Sequence, residues 1–303
     1  MHVLVTGGAG FIGSNTVDLL LDQGHQVRVF DNFYSGTRAN LKSRSGLEVQ
    51  EGDIRDAKAI ATAMMGVSHV LHLAAQVFVP TSIEDPIFSG SVNIGGFVNV
   101  LDGARKAGIK RVVYASSAAV YGTPTTLPVT EETAPATLSP YALEKLVNDQ
   151  YAALYSDLYN LSCCGLRYFN VYGPRQDPRS TYSGVVSRFC NRVAADGTVT
   201  VFGDGRQTRD FIAVADVARA NVAALTCDVK GVINIATGTS VDLLELVDAL
   251  RKLTGRPIHV QHGASRDGEV RDSSVTPTRM GEELGVLSCE PLHIGLRALL
   301  DSL

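Results

Sequence analysis

Residues 2–13 read HVLVTGGAGFIG: a short β-rich apolar run, a glycine turn and the opening of an amphipathic helix. Gly7, Gly10 and Gly13 stand at GxxGxxG spacing directly after the strand. Glycines there let the turn be tight and let a pyrophosphate approach the backbone, and the free N–H groups and dipole of the helix N-terminus favour its charge. A strand, a glycine turn and a helix in that order predict the first βαβ unit of a parallel sheet.

The following residues repeat the unit. Strands are predicted at 2–6, 26–31, 47–53, 69–75 and 111–117, with helices at 11–23, 56–65, within 86–107 and around 139–160. Continuous apolar runs such as HVLHLAA and RVVYASS suit strands buried on both faces. Strand–helix alternation with right-handed crossovers gives an α/β fold with a doubly wound parallel sheet. A sixth strand is predicted at 161–170, after which the pattern loosens into VYGPRQDPRSTYSG. Beyond it lie short strands (TVTVF, GVINIA, PIHV) and helices near 214–226, 240–254 and 290–302. This predicts a cofactor-binding domain over 1–170 and a smaller C-terminal α/β substrate-binding domain over 171–303. The second half should re-enter the first sheet once or twice.

The balance of 27 Lys and Arg against 31 Asp and Glu argues against nucleic acid or an anionic membrane as partner. An anionic substrate would have to be held by local arginines. No apolar run approaches the length of a membrane span, and the start MHVLVTGG already reads as strand and turn rather than a secretory leader. The five cysteines form no CxxC and no Cys/His ligand spacing, so a metal site is not expected and a reduced, cytoplasmic protein is. The seven histidines do not cluster, and His72 reads as a packed strand residue.

Asp31 ends the second strand, about 20 residues beyond the glycine turn, where a carboxylate accepts hydrogen bonds from the adenosine ribose and repels a 2′-phosphate. That selects NAD over NADP, although Arg38 stands nearby. Asp53 and Ile54, after the third strand, are placed for the adenine; Leu73, Ala74 and Ala75 end the fourth strand, where the cofactor's middle should run.

The stretch SPYALEKLVNDQY puts Tyr141 and Lys145 four apart, on one face of a helix. The fifth strand delivers Ser116 and Ser117 to the same sheet edge. A free phenol, with a pKa near 10, is too weak a base at neutral pH. A neighbouring ammonium and the positively charged nicotinamide ring would lower it, giving the base that hydride transfer from an alcohol requires. Lys145 would also hold the nicotinamide ribose.

TGGAGFIGS, DN at 31–32, LAA, SSAAVYG, YALEK, LRYFNVYGPRQDP, TRDFI and RDGEV occur in an order that resembles the extended short-chain dehydrogenase/reductases of the NAD-dependent epimerase/dehydratase family. The likeness is strongest to UDP-glucose and UDP-N-acetylglucosamine 4-epimerases and covers essentially the whole chain. It implies a Rossmann sheet and catalysis by Ser117, Tyr141 and Lys145. Tyr141 would take the proton of the sugar 4-hydroxyl while Ser117 bridges or orients it. The C4 hydride would pass to NAD and return to the other face of a 4-keto sugar that has turned in the pocket.

The same resemblance adds Phe11, Ile12, Asn32, Ser35, Gly36 and Phe169 to the cofactor site. It implies Arg209 and Arg266 at the substrate diphosphate, Glu269 at a ribose hydroxyl, and Asn170 at the diphosphate or sugar. Val201 and Phe202 would lie at the uracil, and Gly184, Val185 and Ser273 along the sugar pocket. A serine at 273, where glucose-restricted relatives carry tyrosine, would leave room for an N-acetyl group. Ala118 and Ala119 after Ser117 argue against a 4,6-dehydratase, and Asn170 against a glucuronate substrate. A UDP-glucuronate epimerase or decarboxylase, and a non-catalytic nucleotide-sugar sensor, are the rival readings. The long helices near 86–107 and 139–160 would pair with a second copy in a homodimer.

Overall fold

The computed structural model describes residues 1–177, 184–265 and 271–303. Its strands are β1 His2–Thr6, β2 Gln26–Asp31, β3 Leu47–Glu51, β4 His69–His72, β5 Arg111–Ser117, β6 Cys163–Tyr168, β7 Asn170–Tyr172, β8 Thr198–Phe202, β9 Thr208–Ala213, β10 Gly231–Ile235, β11 Ser240–Asp242 and β12 His259–Gly263. Seven make one sheet, ordered β10-β6-β5-β4-β1-β2-β3, every pair parallel. The order reverses between β1 and β4, so the loops after these two strands diverge and leave a crevice at the carboxyl edge.

Period-two alternation decides which side chain packs where. On β1, Val3 and Val5 enter the core under helices Phe11–Asp22, Val214–Thr226 and Thr278–Leu284, while Leu4 enters the opposite core under Ala57–Ala63, Phe97–Lys106 and Pro140–Tyr159. Phe30, Tyr114 and Cys163 join Leu4, and Val29, Val113 and Cys164 join Val3 and Val5. Each fully buried side chain of this size stabilises by about 1.5–3 kcal/mol relative to exposure.

The predicted strand 161–170 divides. β6 ends at Tyr168 and β7 begins at Asn170 in a second sheet, ordered β11-β9-β7. Phe169 is the crossing point, its N–H donating to Ile235 O at 3.1 Å. The chain returns once as a strand, β10, at the free edge beside β6. Helix Val214–Thr226 also returns, packing on helix Phe11–Asp22 with Asn221 Nδ2 donating to Thr16 Oγ1 at 3.0 Å. A third core joins helices Val185–Ala195, Leu243–Thr254 and Leu292–Asp301 to β8 and β9. β12 pairs in parallel with β8.

The single helix predicted within 86–107 is three pieces: Pro86–Gly90, a π-helical turn Ser91–Gly96, and Phe97–Lys106. The widened turn sits where Gly96 packs on Ile54; a Cβ there would lie 2.5 Å from Ile54 Cδ1. In the same turn Asn93 bonds both backbone groups of Gln76, at 2.9 and 2.8 Å, and the buried Glu144 at 2.6 Å. Interruptions of this kind are frequent at functional sites.

Candidate active site

A cavity of about 1120 Å³ runs along the carboxyl edge of the large sheet. Every residue expected at the cofactor lines it: Gly7, Gly10, Phe11, Ile12, Gly13, Asp31, Asn32, Ser35, Gly36, Asp53, Ile54, Leu73, Ala74, Ala75, Tyr141, Lys145 and Phe169. The glycine turn is built so that only backbone faces this space. Gly7 has φ +70°, and a Cβ on it would stand 2.6 Å from Ala74 N; one on Gly13 would stand 2.2 Å from Gly7 O. Such a bare cradle at a helix N-terminus fits a dinucleotide's diphosphate.

At the far end of the cradle, Asp31 accepts from Ala9 N at 2.9 Å and Phe33 N at 2.8 Å. Burial pushes its carboxyl up, and these two hydrogen bonds oppose the shift. Asp53 is held down to about 2 by Arg55, which grips it bidentately at 3.0 and 2.7 Å. The two carboxylates fit ribose and adenine respectively, so this end suits an adenosine.

At the other end stand Ser117, Tyr141 and Lys145. The helix carrying the last two begins where the sequence dictates: Ser139 Oγ accepts from Ala142 N at 3.2 Å, and Pro140 takes the first turn. It stops at Asn160, in the left-handed conformation. Tyr141 N donates to Ser82 Oγ at 3.1 Å, which pins the catalytic end of the helix. Ser117 closes β5 and accepts from Ala119 N at 3.1 Å.

The protein's own groups raise the Tyr141 phenol, and the expected lowering by the Lys145 ammonium is not among the causes: burial is the main one and Glu144 adds to it, while a hydrogen bond with Ser117 opposes it. Lys145 has little leverage because its Nζ is 5.8 Å from the Tyr141 ring centroid and donates to Ala115 O at 3.0 Å. Burial also brings Lys145 down to about 8, with Asp149 and Glu144 pulling the other way. His72 is a packed residue, its Nδ1 2.8 Å from Thr6 Oγ1. Burial, then Lys145, drives its pKa to about 3.

Of the residues expected at the substrate, Ser117, Tyr141 and Asn170 line the cavity, and Asn170 Nδ2 donates to Asp210 O at 3.1 Å. Gly184, Val185, Val201, Phe202, Arg209 and Ser273 stand outside its described lining. Gly184 caps helix Val185–Ala195, and Val185 packs on the third core. Val201 is wholly buried in that core, because the strand's alternation points it inward. Phe202, next along β8, is only partly buried. Arg209 donates to Thr208 O at 2.7 Å and Arg271 O at 3.2 Å. Ser273 is tied through its backbone to Thr208 Oγ1 and Ser240 Oγ at 3.2 and 2.7 Å. Arg266 and Glu269 lie outside the described residues.

The cavity also has walls that motif reading missed: Tyr34, Arg55, Gln76, Phe88, Arg175, Gln176, Asn191 and the terminal Ser302 and Leu303. Arg175 and Gln176 lay inside a quoted motif, so a signal existed for them. Phe88, Asn191 and Ser302 come from helix segments with nothing local to mark them. Among the described residues no group of His, Cys, Asp and Glu could hold a metal ion, and no helix is long and apolar enough to cross a membrane.

Comparison with known proteins agrees with the geometry. The UDP-glucose 4-epimerase of Mycolicibacterium smegmatis is 40% identical over 291 residues, covering 94% of this chain and 93% of its own. Among solved structures, the UDP-N-acetylglucosamine 4-epimerase of Methanobrevibacter ruminantium M1, in complex with UDP-N-acetylmuramic acid, superposes with a TM-score of 0.94 at 32% identity, covering 99% of this chain and 97% of that one. The Thermus thermophilus UDP-glucose 4-epimerase, in complex with NAD, gives 0.91 at 36% identity, covering 100% and 98%. The family model matches residues 3–236, a span that holds the cradle, Ser117, Tyr141 and Lys145 and the returning edge strand, and the chain belongs to that family, the NAD dependent epimerase/dehydratase family.

Proposed function

We propose that this enzyme interconverts the 4-epimers of a UDP-hexose, UDP-glucose with UDP-galactose and UDP-N-acetylglucosamine with UDP-N-acetylgalactosamine. One observation carries the reading: Ser117, Tyr141 and Lys145 open onto the same continuous cavity as the glycine cradle and Asp31. The cradle, Asp31 and Lys145 would hold NAD, which when bound would supply the acceptor for the sugar's C4 hydride and a positive charge. Burial raises the phenol, so its ionisation would draw on the positive charge that the bound cofactor would supply. Tyr141 then receives the proton of the sugar 4-hydroxyl, with Ser117 bridging the two oxygens. When the carbonyl is reduced from its other face, Tyr141 returns the proton and the enzyme ends as it began. Asn170, which lines the cavity's opposite wall, would serve the diphosphate or sugar.

The resemblance at Ser273, a small residue where glucose-restricted relatives carry tyrosine, favours an N-acetyl sugar, although Ser273 stands outside the cavity's described lining. Residues 1–170 serve mainly the cofactor and 171–303 mainly the nucleotide sugar, with β10 and helix Val214–Thr226 returned to the first unit. Leu143, Leu154 and Leu158 are 51, 52 and 69% exposed along helix Pro140–Tyr159, beside Ile83 at 61% and Ile87 at 85%. Such a stripe suits pairing with a second copy, to be checked by sedimentation. Five unpaired cysteines fit a reducing, cytoplasmic setting.

The test is to incubate the purified enzyme separately with UDP-glucose, UDP-N-acetylglucosamine and UDP-glucuronate and resolve the 4-epimers. Conversion of the first two is expected. Conversion of glucuronate alone would overturn the sugar assignment, and bound NAD with no conversion of any would favour a sensor.

A further inference from the structure

Three loops from different strands meet on the rim of the cavity at its adenosine end. Tyr34 comes from the loop after β2, Arg55 from the loop after β3, and Phe88 from the short helix that follows β4; all three line the cavity beside Asp53 and Ile54. The Tyr34 and Phe88 rings face one another at 5.9 Å between centroids, inclined at 52°. The Arg55 guanidinium lies 5.5 Å from the Phe88 centroid while gripping Asp53.

The backbone is arranged to present these groups. Phe33 takes the left-handed conformation, φ +56°, which a bulky side chain rarely adopts. It is held there by its own bond to Asp31 and by Tyr34 N donating to Asn32 Oδ1 at 3.1 Å. Phe88 N donates to Asp85 Oδ1 at 2.9 Å, which anchors the other side. Tyr34 is left 67% exposed on the cavity rim, its ring in tilted contact with Phe88, over which Arg55 lies. A left-handed backbone that holds this ring pair and guanidinium at the rim presents a π-surface to a flat group lying in the cavity beneath them.

We infer that Tyr34 and Phe88, braced by Arg55, form an aromatic clasp over the adenine of NAD. The inference rests on the reading of the Asp31 and Asp53 end as the adenosine end. Asp31 and the glycine cradle hold the ribose and diphosphate, and the clasp shuts the remaining open side. The dinucleotide leaves only when the two rings part, which suits an enzyme whose cofactor is regenerated in place at every turnover.

The experiment uses the full chain with NAD bound and compares it with Tyr34→Ala, Phe88→Ala and Tyr34→Phe. NAD release on dilution is followed, together with the affinities for ADP-ribose and for nicotinamide mononucleotide, which probe the two ends separately. Stacking on a base is worth enough to make release on the order of 10-fold faster in each alanine variant. ADP-ribose should weaken in step, nicotinamide mononucleotide should be unmoved, and Tyr34→Phe should restore retention. Unchanged release in both alanine variants, or equal weakening of the two probes, overturns the clasp while leaving the cofactor site standing. A wild-type protein that binds nicotinamide mononucleotide but neither NAD nor ADP-ribose would overturn the adenosine end itself, and the clasp with it.

Discussion

The two walls of the cavity are built in different ways. The wall facing β1, β2 and β4 consists of short local devices: a glycine turn, a carboxylate at a strand end, a small-residue strand end. The wall facing β7 is assembled from distant segments. Asn170 is held by the carbonyl of Asp210, while the Asp210 carboxylate accepts from Thr237 N and Gly238 N at 2.8 and 2.7 Å. Gln176 is bonded to Ser187 and Val171. The first wall therefore needs only the sheet to be correct, whereas the second needs several long-range contacts to be correct together.

Changes that sharpen this contrast should act on one wall or on the junction of both. The largest effect is expected at the junction. Arg167 on β6 and Asp149 on the catalytic helix form a pair 3.0 Å apart with side chains only 6 and 7% exposed, and Tyr114 OH donates to the same carboxylate at 3.1 Å. Arg167→Met should lower stability by about 3–5 kcal/mol by stranding a buried carboxylate. A urea midpoint like that of the wild type would show that the junction does not depend on the pair.

Next comes the chemistry. Tyr141→Phe should retain fold and cofactor yet lose at least ~10²-fold in kcat, the lower end for a general base; near-normal turnover would remove Tyr141 from the mechanism. On the cofactor wall, Gly13→Ala forces a methyl to 2.2 Å from Gly7 O, a clash with backbone that cannot swing away. Overpacking of this kind costs about 1–3 kcal/mol, and it should appear as loss of bound NAD with the affinity for the UDP-sugar product little changed. Equal losses of both ligands would mean that the two walls are not independent.

His72 makes the cofactor wall the acid-sensitive one. Its folded-state pKa, about 3, lies below the ordinary 6.5. The unfolded chain therefore takes up a proton first, and stability falls as pH drops from about 6.5 towards 3, by up to ~1.4 kcal/mol per pH unit. His72→Gln should flatten this slope between pH 6 and 4.5 in denaturation curves; an unaltered slope would assign the acid sensitivity to other groups. The smallest effect, and the most selective, is expected at Ser273, outside the cavity's described lining. Ser273→Tyr should reduce turnover of UDP-N-acetylglucosamine relative to UDP-glucose, because added volume obstructs only the larger sugar. A fixed ratio would place residue 273 away from the pocket.

These contrasts explain what could be read in advance. The carboxyl-edge residues of β1, β2, β3, β4 and β5 were legible because each sits at a fixed offset from a strand, and the strand pattern is local. The division of 161–170 at Phe169 was not, since both halves are apolar and only pairing with β10 and with β9 separates them. The π-turn at Ser91–Gly96 was equally hidden, because it depends on Ile54 and Gln76, far away in sequence. The burial of Val201 in the third core was not legible either, because alternation identifies two faces of a strand but not which face a core will cover.

By itself the sequence determined the run of parallel strands as far as β6, the glycine cradle, the carboxylate of Asp31 at the end of β2 and the placing of Tyr141 and Lys145 on one helix, since periodicity, glycine spacing and helical offset act over a few residues. Only the tertiary structure decided that β10 takes the sheet's edge beside β6, that Phe88 meets Tyr34 at the cavity rim, and that burial raises the phenol of Tyr141. Burial and long-range contact are properties of the folded neighbourhood, and no local pattern carries them.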